Sequence, residues 1–345
     1  MSIRSKRSMR SRANLSATCG AAVLLGTALA GAPAGAAEQA KAVVGVRVHV
    51  SATGSDSNPG TKKKPVKSLA QAHKIAVRKQ ATAVEIRIKN GTYVSPQLNW
   101  TLRARVTIRP DGSGRPVFRG QPGKRLYWLR TTEAGAQFDI RGLQLQEYTR
   151  GGIFFRGSSR NNIRGMVFTH IGSKHALSGV TQGNGGVHLN DSNRNWIAGN
   201  RFNALENIPL DPDGDGPKKP TGIAEIHAVY FGARSSDNTV TGNRFTTVSG
   251  DPVRMRNRSD NNVIDANRFA RTGYKGLASD WYDEDASECE SIGNSFTNNR
   301  TGVSATQGSG YRPAGGVTTV DAVKEYQPKR CGRPGVRFAL RGNGG

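Results

Sequence analysis

Three polar side chains of different chemistry stand between paired apolar residues in three separate segments of the chain. His188 lies between valine and leucine, Tyr230 between valine and phenylalanine, and Arg254 between valine and methionine. An imidazole can remove a proton, a phenol can supply one, and a guanidinium can stabilise a carboxylate that gains negative charge. β-Elimination on a uronic acid needs these three roles. We therefore predict His188 or His227 as base, Tyr230 as acid, and Arg254 with Arg256 as charge stabiliser.

The apolar neighbours of these residues predict where the side chains point. Successive side chains of a strand point to opposite faces, so a residue between two buried positions points outward. Stacking the segments gives an outward column of Phe154, His188, Tyr230 and Arg254, flanked by Arg156, Asn190, Gly232 and Arg256 on one side and by Gly151, Gly185, His227 and Asp251 on the other. The residues predicted to bind substrate are Phe154, Arg156, Asn190, Arg256 and Trp281. The alternative is an inert face whose side chains only stack and hydrogen-bond with each other.

The insertion DPDGDG, residues 211–216, has the pattern of a cation-binding loop. Alternating aspartates closed by glycine place several oxygens around one hard cation. We predict a Ca²⁺ site formed by Asp211, Asp213 and Asp215. A complete EF-hand has Glu at the twelfth position, where this chain has Gly222, so another residue, such as Glu206 or Glu225, is expected to contribute. The alternative is a solvated acidic turn.

A second acidic cluster, KGLASDWYDEDASE, spans residues 275–288. Trp281 within it is a candidate platform for a sugar ring, with a position in the core as the alternative. The paired carboxylates keep glycoside hydrolysis open, since that reaction needs an acid together with a base or a nucleophile.

A repeated phrase indicates how these residues are positioned. SSDNTVTGNRF, residues 235–245, has counterparts at residues 158–168, 192–202 and 259–269, and a shorter one, ESIGNSF, at residues 290–296. Aligning the closing Phe residues, with Leu145 as an earlier equivalent, gives spacings of 23, 34, 43, 24 and 27 residues. Two spacings are near a base period of 23 to 24, and the longer ones contain insertions.

Each repeat contains short apolar alternations separated by Gly, Asn and Ser, which predicts three short strands per turn of a parallel β-solenoid. In the quoted phrase we expect Val240 and Phe245 to point inward and Asn238 and Asn243 to lie at corners, where Asn can hydrogen-bond along the stack. Upstream, Ser68 can cap a short helix that covers the exposed strand edges at one end of the solenoid.

These features resemble the secreted right-handed parallel β-helix proteins of the pectate-lyase-like superfamily. The matching motifs are VSATGSDSNPGT (residues 50–61), NGTY (residues 90–93) and the GNRF corners, within residues 46–303. The resemblance implies an all-β, right-handed parallel β-helix with a short N-terminal capping helix. It does not choose a function, because this fold carries lyases, hydrolases, epimerases and non-catalytic binders.

Two motifs known from relatives with this fold do not occur in the sequence. Polygalacturonases have adjacent aspartates and Gly-His-Gly, and the best-known pectate lyases have Arg-x-Pro-x-x-Arg. The nearest match to the latter is RCGRPGVR, residues 330–337. The substrate is therefore not specified by a motif.

Charge and targeting signals point to an exported protein with a polyanionic partner. Five basic residues followed by an apolar run and small residues predict a signal peptide over residues 1–37. The run is too short to span a membrane, so we expect secretion without membrane insertion. The net charge is +25 for the whole chain and +20 without the first 37 residues. This charge predicts a polyanionic partner, which is an acidic polysaccharide, a cell-wall phosphate polymer, nucleic acid or a membrane surface. The alternative is a charge that only keeps an exported protein soluble. Nucleic acid is disfavoured because no DNA-binding motif occurs.

The expected organisation is a signal peptide over residues 1–37, a β-helix domain with its cap over 38–303, and a C-terminal tail over 304–345. In an oxidising compartment, Cys289 and Cys331 are expected to pair and clip the tail to the last coil. We expect a monomer.

The leading functional hypothesis is an extracellular polysaccharide lyase acting by β-elimination on a uronic-acid polymer. A non-catalytic β-helix that binds polyanionic glycan or cell wall is the second hypothesis. A glycoside hydrolase or a uronan epimerase is the third.

Overall fold

Short parallel strands stacked coil upon coil form the described part of the chain. The computed structural model describes residues 43–95, 97–121, 126–131, 135–175, 183–208, 220–301 and 323–344, apart from the side chains of 220, 221 and 223. The predicted signal peptide lies outside these residues. All of the described residues belong to one compact unit. Within them, no helix is long and apolar enough to cross a membrane.

The predicted N-terminal capping helix is present as α1 (Leu69–Arg78). The hydroxyl of Ser68 accepts a hydrogen bond from the backbone N–H of Gln71 at 3.1 Å, which caps the first turn. Asp56 fixes this cap by accepting hydrogen bonds from the backbone N–H and the hydroxyl of Ser68. The helix faces the core with its buried residues, which include the predicted Leu69, Ala72, Ile75 and Ala76.

Twenty-six strands are found in the described residues, together with a 3-10 helix over Pro220–Glu225. In chain order they are β1 (Gly45–Val50), β2 (Ala83–Ile88), β3 (Thr92–Val94), β4 (Leu98–Trp100), β5 (Arg105–Pro110), β6 (Val117–Arg119), β7 (Tyr127–Thr131), β8 (Gln137–Arg141), β9 (Gln144–Gln146), β10 (Gly151–Arg156), β11 (Asn162–Arg164), β12 (Val167–Ile171) and β13 (Gly185–Asn190). They continue with β14 (Trp196–Ala198), β15 (Arg201–Leu205), β16 (His227–Gly232), β17 (Thr239–Thr241), β18 (Arg244–Val248), β19 (Val253–Arg256), β20 (Val263–Asp265), β21 (Arg268–Ala270), β22 (Ala278–Trp281), β23 (Asn294–Thr297), β24 (Arg300–Thr301), β25 (Val323–Glu325) and β26 (Phe338–Arg341).

The strands form three parallel sheets, and most coils contribute one strand to each sheet. Sheet 1 has the order β25-β22-β19-β16-β13-β10-β7-β4, sheet 2 the order β1-β2-β5-β8-β11-β14-β17-β20-β23-β26, and sheet 3 the order β24-β21-β18-β15-β12-β9-β6-β3. The apolar residues of each alternation therefore enter a continuous core. Inside sheet 3, the rings of Phe168, Phe202, Phe245 and Phe269 stack with centroids 4.7, 5.1 and 4.8 Å apart.

Two ladders of buried asparagines lie at the corners, as the repeated phrase predicted. Between sheets 1 and 2, Asn195 donates to Asn238 at 2.7 Å and Asn238 donates to Asn262 at 2.9 Å. Between sheets 2 and 3, Asn200 donates to Asn243 at 3.0 Å, and the ladder continues through Asn267. These bonds link side chains on consecutive coils, so they define which residue of one coil lies over which residue of the next.

The last predicted repeat is out of register in the alignment based on Phe residues. Phe296 pairs with Ile264 in sheet 2, whereas the partner of Phe269 in sheet 3 is Thr301. The spacing is therefore 32 residues, not 27. The physical reason is that Asn294 of GNSF accepts from Asn262 in the first corner ladder, while Asn299 continues the second ladder.

The described C-terminal residues continue the solenoid past residue 303, where the sequence analysis ended it. β25 pairs with β22 in sheet 1, and β26 pairs with β23 in sheet 2. The structure joins Cys289 and Cys331 in a disulfide with Cα atoms 5.7 Å apart. Beside it, the buried guanidinium of Arg337 donates to the buried carboxylate of Asp280 at 2.7 Å. Within the segment expected to be a tail, the described residues 323–344 thus add a strand to each of two sheets.

Candidate functional site

A cavity of about 590 Å³ lies on the outer side of sheet 1. The lining residues come from β16, β19 and β22, from the 3-10 helix, from the residue before β13, from the turn before β22 and from the residue that follows β25. They are Asn184, Ala224, Glu225, His227, Tyr230, Arg254, Arg256, Tyr274, Lys275, Trp281 and Tyr326. Five of them were predicted site residues, whereas Phe154, Arg156, His188 and Asn190 are not among them.

Strand register places the outward column as predicted. Phe154 pairs with His188, His188 with Tyr230, and Tyr230 with Arg254. Neighbouring parallel strands are about 4.8 Å apart, so these side chains lie on consecutive rungs. Their environments differ, however, and the differences decide which of them can do chemistry.

His188 is part of an aromatic stack. Its ring lies between the rings of Phe154 and Tyr230, with centroids 4.7 and 4.6 Å away, and its Nδ1 is 3.1 Å from the Tyr127 hydroxyl. Burial, helped by the neighbouring His227, lowers the pKa of His188 to about 3. His188 therefore stacks against Tyr230 and does not line the cavity, and its role as a base stays a prediction.

His227 combines a fixed tautomer with a position in the cavity. Its Nδ1 lies 2.7 Å from the backbone carbonyl oxygen of Asp251. A carbonyl can only accept, so Nδ1 carries the proton and Nε2 keeps its lone pair. Burial and the charge of Arg254 lower the pKa of His227 to about 3, the same value as for His188. No group of the described residues hydrogen-bonds Nε2 of His227. Its place in the cavity lining, which His188 lacks, makes His227 the better candidate for the base.

Asp251 is the buried hub of the site. Its carboxylate accepts hydrogen bonds from Arg254 at 3.0 Å, from the Tyr326 hydroxyl at 2.6 Å, and from the backbone N–H groups of Lys275 and Gly276 at 2.8 and 2.9 Å. Burial alone raises the pKa of a carboxyl, but Arg254 and these hydrogen bonds outweigh it and lower the pKa of Asp251. The Asp251 carboxylate therefore stays ionised, and it links Arg254, Tyr326 and the backbone of residues 275 and 276 in the cavity wall.

Arg254 does not present the free outward charge that the sequence predicted. It is buried, and its charge is compensated by Asp251. Its guanidinium lies 4.7 Å from the centre of the Tyr326 ring. The reason is the added C-terminal coil, because Tyr326 covers this rung. Replacement of Arg254 would leave the buried carboxylate of Asp251 without its cation, so it should destabilise the fold.

Arg256 and Trp281 form one unit of the cavity wall. The Arg256 guanidinium lies 4.5 Å from the Trp281 ring and donates to Glu288 at 2.6 Å. It also contacts Asp283 at 3.4 Å. One face of the indole is thus occupied by protein, which limits the predicted role of Trp281 as a sugar platform to its other surface.

Lys275 is the cavity cation without a carboxylate partner in the part of the chain that the structure describes. Its ammonium lies 5.8 and 5.9 Å from the centres of the Tyr274 and Tyr326 rings. It is exposed. Sequence reasoning gave no role to Lys275 or Tyr326. The only signal for Lys275 was its position at the start of the second acidic cluster.

Of the acidic residues considered for the predicted Ca²⁺ site, the structure describes only Glu206 and Glu225. Asp211, Asp213 and Asp215 lie outside the described residues. Within the described residues, no group of three potential metal ligands occurs. Glu206 is buried and engaged with Lys174 at 2.7 Å and His175 at 2.9 Å, so it is not free to complete a cation site. Glu225 is exposed beside the cavity.

The two histidines should remain neutral in mildly acidic solution. In the unfolded chain an imidazole takes up a proton as the pH falls below about 6.5, while folded His188 stays neutral to about pH 3. The unfolded state thus binds more protons in this window, so these groups make the protein less stable as the pH is lowered. Nitrogen NMR of the histidine side chains at pH 5 should show neutral rings for His188 and His227, with the proton of His227 on Nδ1. Protonated rings at that pH would contradict the assignment.

Comparison with known proteins identifies the family to which the fold of this chain belongs. The model described as "Right handed beta helix region" matches residues 129–316. Among curated proteins, no sequence matches at a significant level.

Similar solved structures include three carbohydrate-active proteins. An alginate lyase from Paenibacillus sp. strain FPU-7 is 15% identical, with 86% of this chain and 99% of that chain covered and a TM-score of 0.44. A rhamnogalacturonan lyase is 14% identical, with coverage of 86% and 62% and a TM-score of 0.36. A lacto-N-biosidase from Eubacterium ramulus is 12% identical, with coverage of 75% and 56% and a TM-score of 0.27. Similarity at this level assigns no activity.

Proposed function

This chain belongs to the right-handed β-helix family, and we propose that it is a polysaccharide lyase that cleaves a uronic-acid polymer by β-elimination. The observation that carries the proposal is the state of His227. A neutral imidazole with its lone pair on Nε2 lines a cavity that also contains Tyr230 and Lys275, a lysine with no carboxylate partner among the described residues. That set supplies a base, an acid and a carboxylate-binding cation.

The proposed reaction assigns one role to each group. The Lys275 ammonium binds the substrate carboxylate and stabilises the negative charge that develops on it. Nε2 of His227 takes the proton from the carbon next to the carboxylate. The bond between the neighbouring carbon and the glycosidic oxygen then breaks, and the Tyr230 hydroxyl donates a proton to that oxygen. One product carries a new carbon–carbon double bond, and the other carries a new hydroxyl.

The positions of the rings are compatible with these roles. The centroids of His227 and Tyr230 are 5.2 Å apart, so base and acid can reach neighbouring atoms of one sugar. Asp251 contacts residues on both sides of the cavity. Its backbone carbonyl orients His227, and its carboxylate accepts a hydrogen bond from the backbone N–H of Lys275. Arg256 adds positive charge beside Tyr230, although Glu288 compensates part of it.

Glycoside hydrolysis is less well supported than elimination. It needs two carboxyl groups on either side of the scissile bond. Of the cavity residues in the described ranges, Glu225 alone has a carboxyl group. Asp280, from the second acidic cluster, is buried against Arg337.

We also propose secretion, on the basis of the signal-peptide pattern, and a calcium ion held by Asp211, Asp213 and Asp215. Calcium would supply positive charge and tie the loop together. The described residues offer Glu225 for such a site, while Glu206 is engaged elsewhere.

The base can be tested with two histidine variants. His227→Asn keeps a donor for the Asp251 carbonyl but removes Nε2, so turnover of the degraded uronan should fall by roughly 10² or more. His188→Phe preserves the stack between Phe154 and Tyr230 and should retain activity within a few-fold. Unsaturated product is followed by ultraviolet absorbance, with reducing ends measured in parallel. Wild-type turnover by His227→Asn and an inactive His188→Phe would return the role of base to His188.

The lysine can be tested with esterified substrate. Lys275→Ala should lower kcat/KM on the free uronan by about tenfold or more, because a charge-assisted hydrogen bond contributes about 1.5–3 kcal/mol. Methyl esterification removes the substrate charge, so the variant should discriminate between free and esterified polymer much less than the wild type. Lys67→Ala, an exposed lysine near the N-terminal helix, is the matched control. Equal discrimination by the wild type and Lys275→Ala would remove Lys275 from carboxylate binding.

The calcium site can be tested by thermal unfolding. Aspartates held close together repel one another without a cation, so calcium should raise the melting temperature, and Asp213→Ala should abolish that rise. Melting curves that are identical with calcium and with chelator would assign DPDGDG to a solvated turn.

A further inference from the structure

Four arginines form a column on the outer face of sheet 3, away from the strands of the cavity. Arg201 pairs with Arg244, Arg244 with Arg268, and Arg268 with Arg300. All four are exposed. With strands about 4.8 Å apart, this arginine ladder is about 14 Å long and presents one guanidinium per rung.

The ladder has no anionic partner among the described residues. None of the four guanidinium groups makes a salt bridge there, and the four strands that carry them, RFNAL, RFTTV, RFA and RT, contain no carboxylate. Earlier on the same sheet, Arg119 does have a partner, Glu147 at 2.6 Å. Asp265, the carboxylate nearest in sequence to Arg268, accepts hydrogen bonds from Thr297 and Asn298 at 2.8 Å.

Such a column is unfavourable without a ligand. Like charges on neighbouring rungs repel one another, and salt screens this repulsion only in part at so short a range. A regularly charged anionic polymer that lies along the column would remove this repulsion at every rung. Arginine suits carboxylates because its planar guanidinium donates two parallel hydrogen bonds to them.

The surroundings of the ladder favour a polysaccharide over other polyanions. The next outward positions hold Asn203, Thr246 and Ala270, which are small or polar. Single-stranded nucleic acid is bound by aromatic side chains that stack on bases, and these positions provide none. A uronic-acid chain that lies along the column would bring several carboxylates within reach of these arginines.

We propose that the arginine ladder is a second, non-catalytic binding site for a linear polyuronate. It lies on sheet 3, whereas the cavity lies on sheet 1, and a ligand held there would keep the protein on its polymer through multivalent attachment. This site does not depend on the proposed lyase activity. A protein that cleaves nothing could still bind polymer through the ladder.

The test compares two fourfold variants with equal loss of charge. The ladder variant carries R201Q, R244Q, R268Q and R300Q. The control carries R103Q, R105Q, R160Q and R234Q, which are exposed and do not form one column. Calorimetric binding of sodium polygalacturonate is measured in the His227→Asn background to prevent cleavage. The ladder variant should bind at least tenfold more weakly than the control, and its slope of log K against log salt should be shallower by roughly 2 to 3.

Further measurements separate loss of binding from unfolding, the column from its net charge, and a polyuronate from another polyanion. The ladder variant should melt no lower than its parent, because repulsion has been removed, so a loss of affinity cannot come from unfolding. R244Q combined with T246R keeps the charge but breaks the column, and it should also weaken binding. Equal losses of affinity in the ladder and control variants would overturn the proposal that the arginine ladder is a binding site. Tighter, ladder-dependent binding of inorganic polyphosphate would overturn its assignment to a polyuronate. The proposed lyase activity of the cavity is tested separately, by the product assays, so the two proposals can fail independently.

Discussion

Register between successive coils is fixed by hydrogen bonds between buried asparagines, and the other features depend on it. Each asparagine satisfies buried backbone and side-chain groups of its neighbour, so a shift by one residue would leave several polar groups without partners. Because Asn238 is locked to Asn195 and Asn262, the strands between the corners must also align. Outward residues therefore stack in columns, which produces both the Phe154 to Arg254 column and the arginine ladder.

Within this frame, the buried carboxylate of Asp251 links residues that are distant in sequence. The carboxylate neutralises Arg254 and accepts hydrogen bonds from the Tyr326 hydroxyl and the backbone N–H of Lys275. The backbone carbonyl of Asp251 fixes the tautomer of His227. Asp251 thus fixes the tautomer of the proposed base through its backbone carbonyl, and it fixes the backbone of Lys275 through its carboxylate. The cavity is preorganised in the sense that its charges are placed by the fold, before any substrate arrives.

Alternation and corner residues made the solenoid, its capping helix and the outward column predictable from sequence. The last repeat was misaligned because GNSF and NNRT both offer an asparagine, and sequence alone does not say which corner each occupies. Tyr326 was beyond prediction, since it reaches Asp251 across 75 residues from a segment without a repeat signature. The burial of Arg254 was missed for the same reason. His227 and His188 were both identified, but only their contacts separate base from stacking partner.

The central claim is that the cavity breaks a glycosidic linkage by elimination. The most direct measurement is mass spectrometry of the products formed from a uronic-acid polymer in water enriched in the heavy oxygen isotope. Elimination adds no solvent oxygen, so products sampled before their anomeric oxygen exchanges with water should have an unchanged oxygen mass, and one of them should have the ultraviolet absorbance of an unsaturated uronate. A heavy oxygen at each newly formed reducing end, without that absorbance, would show hydrolysis and contradict the account.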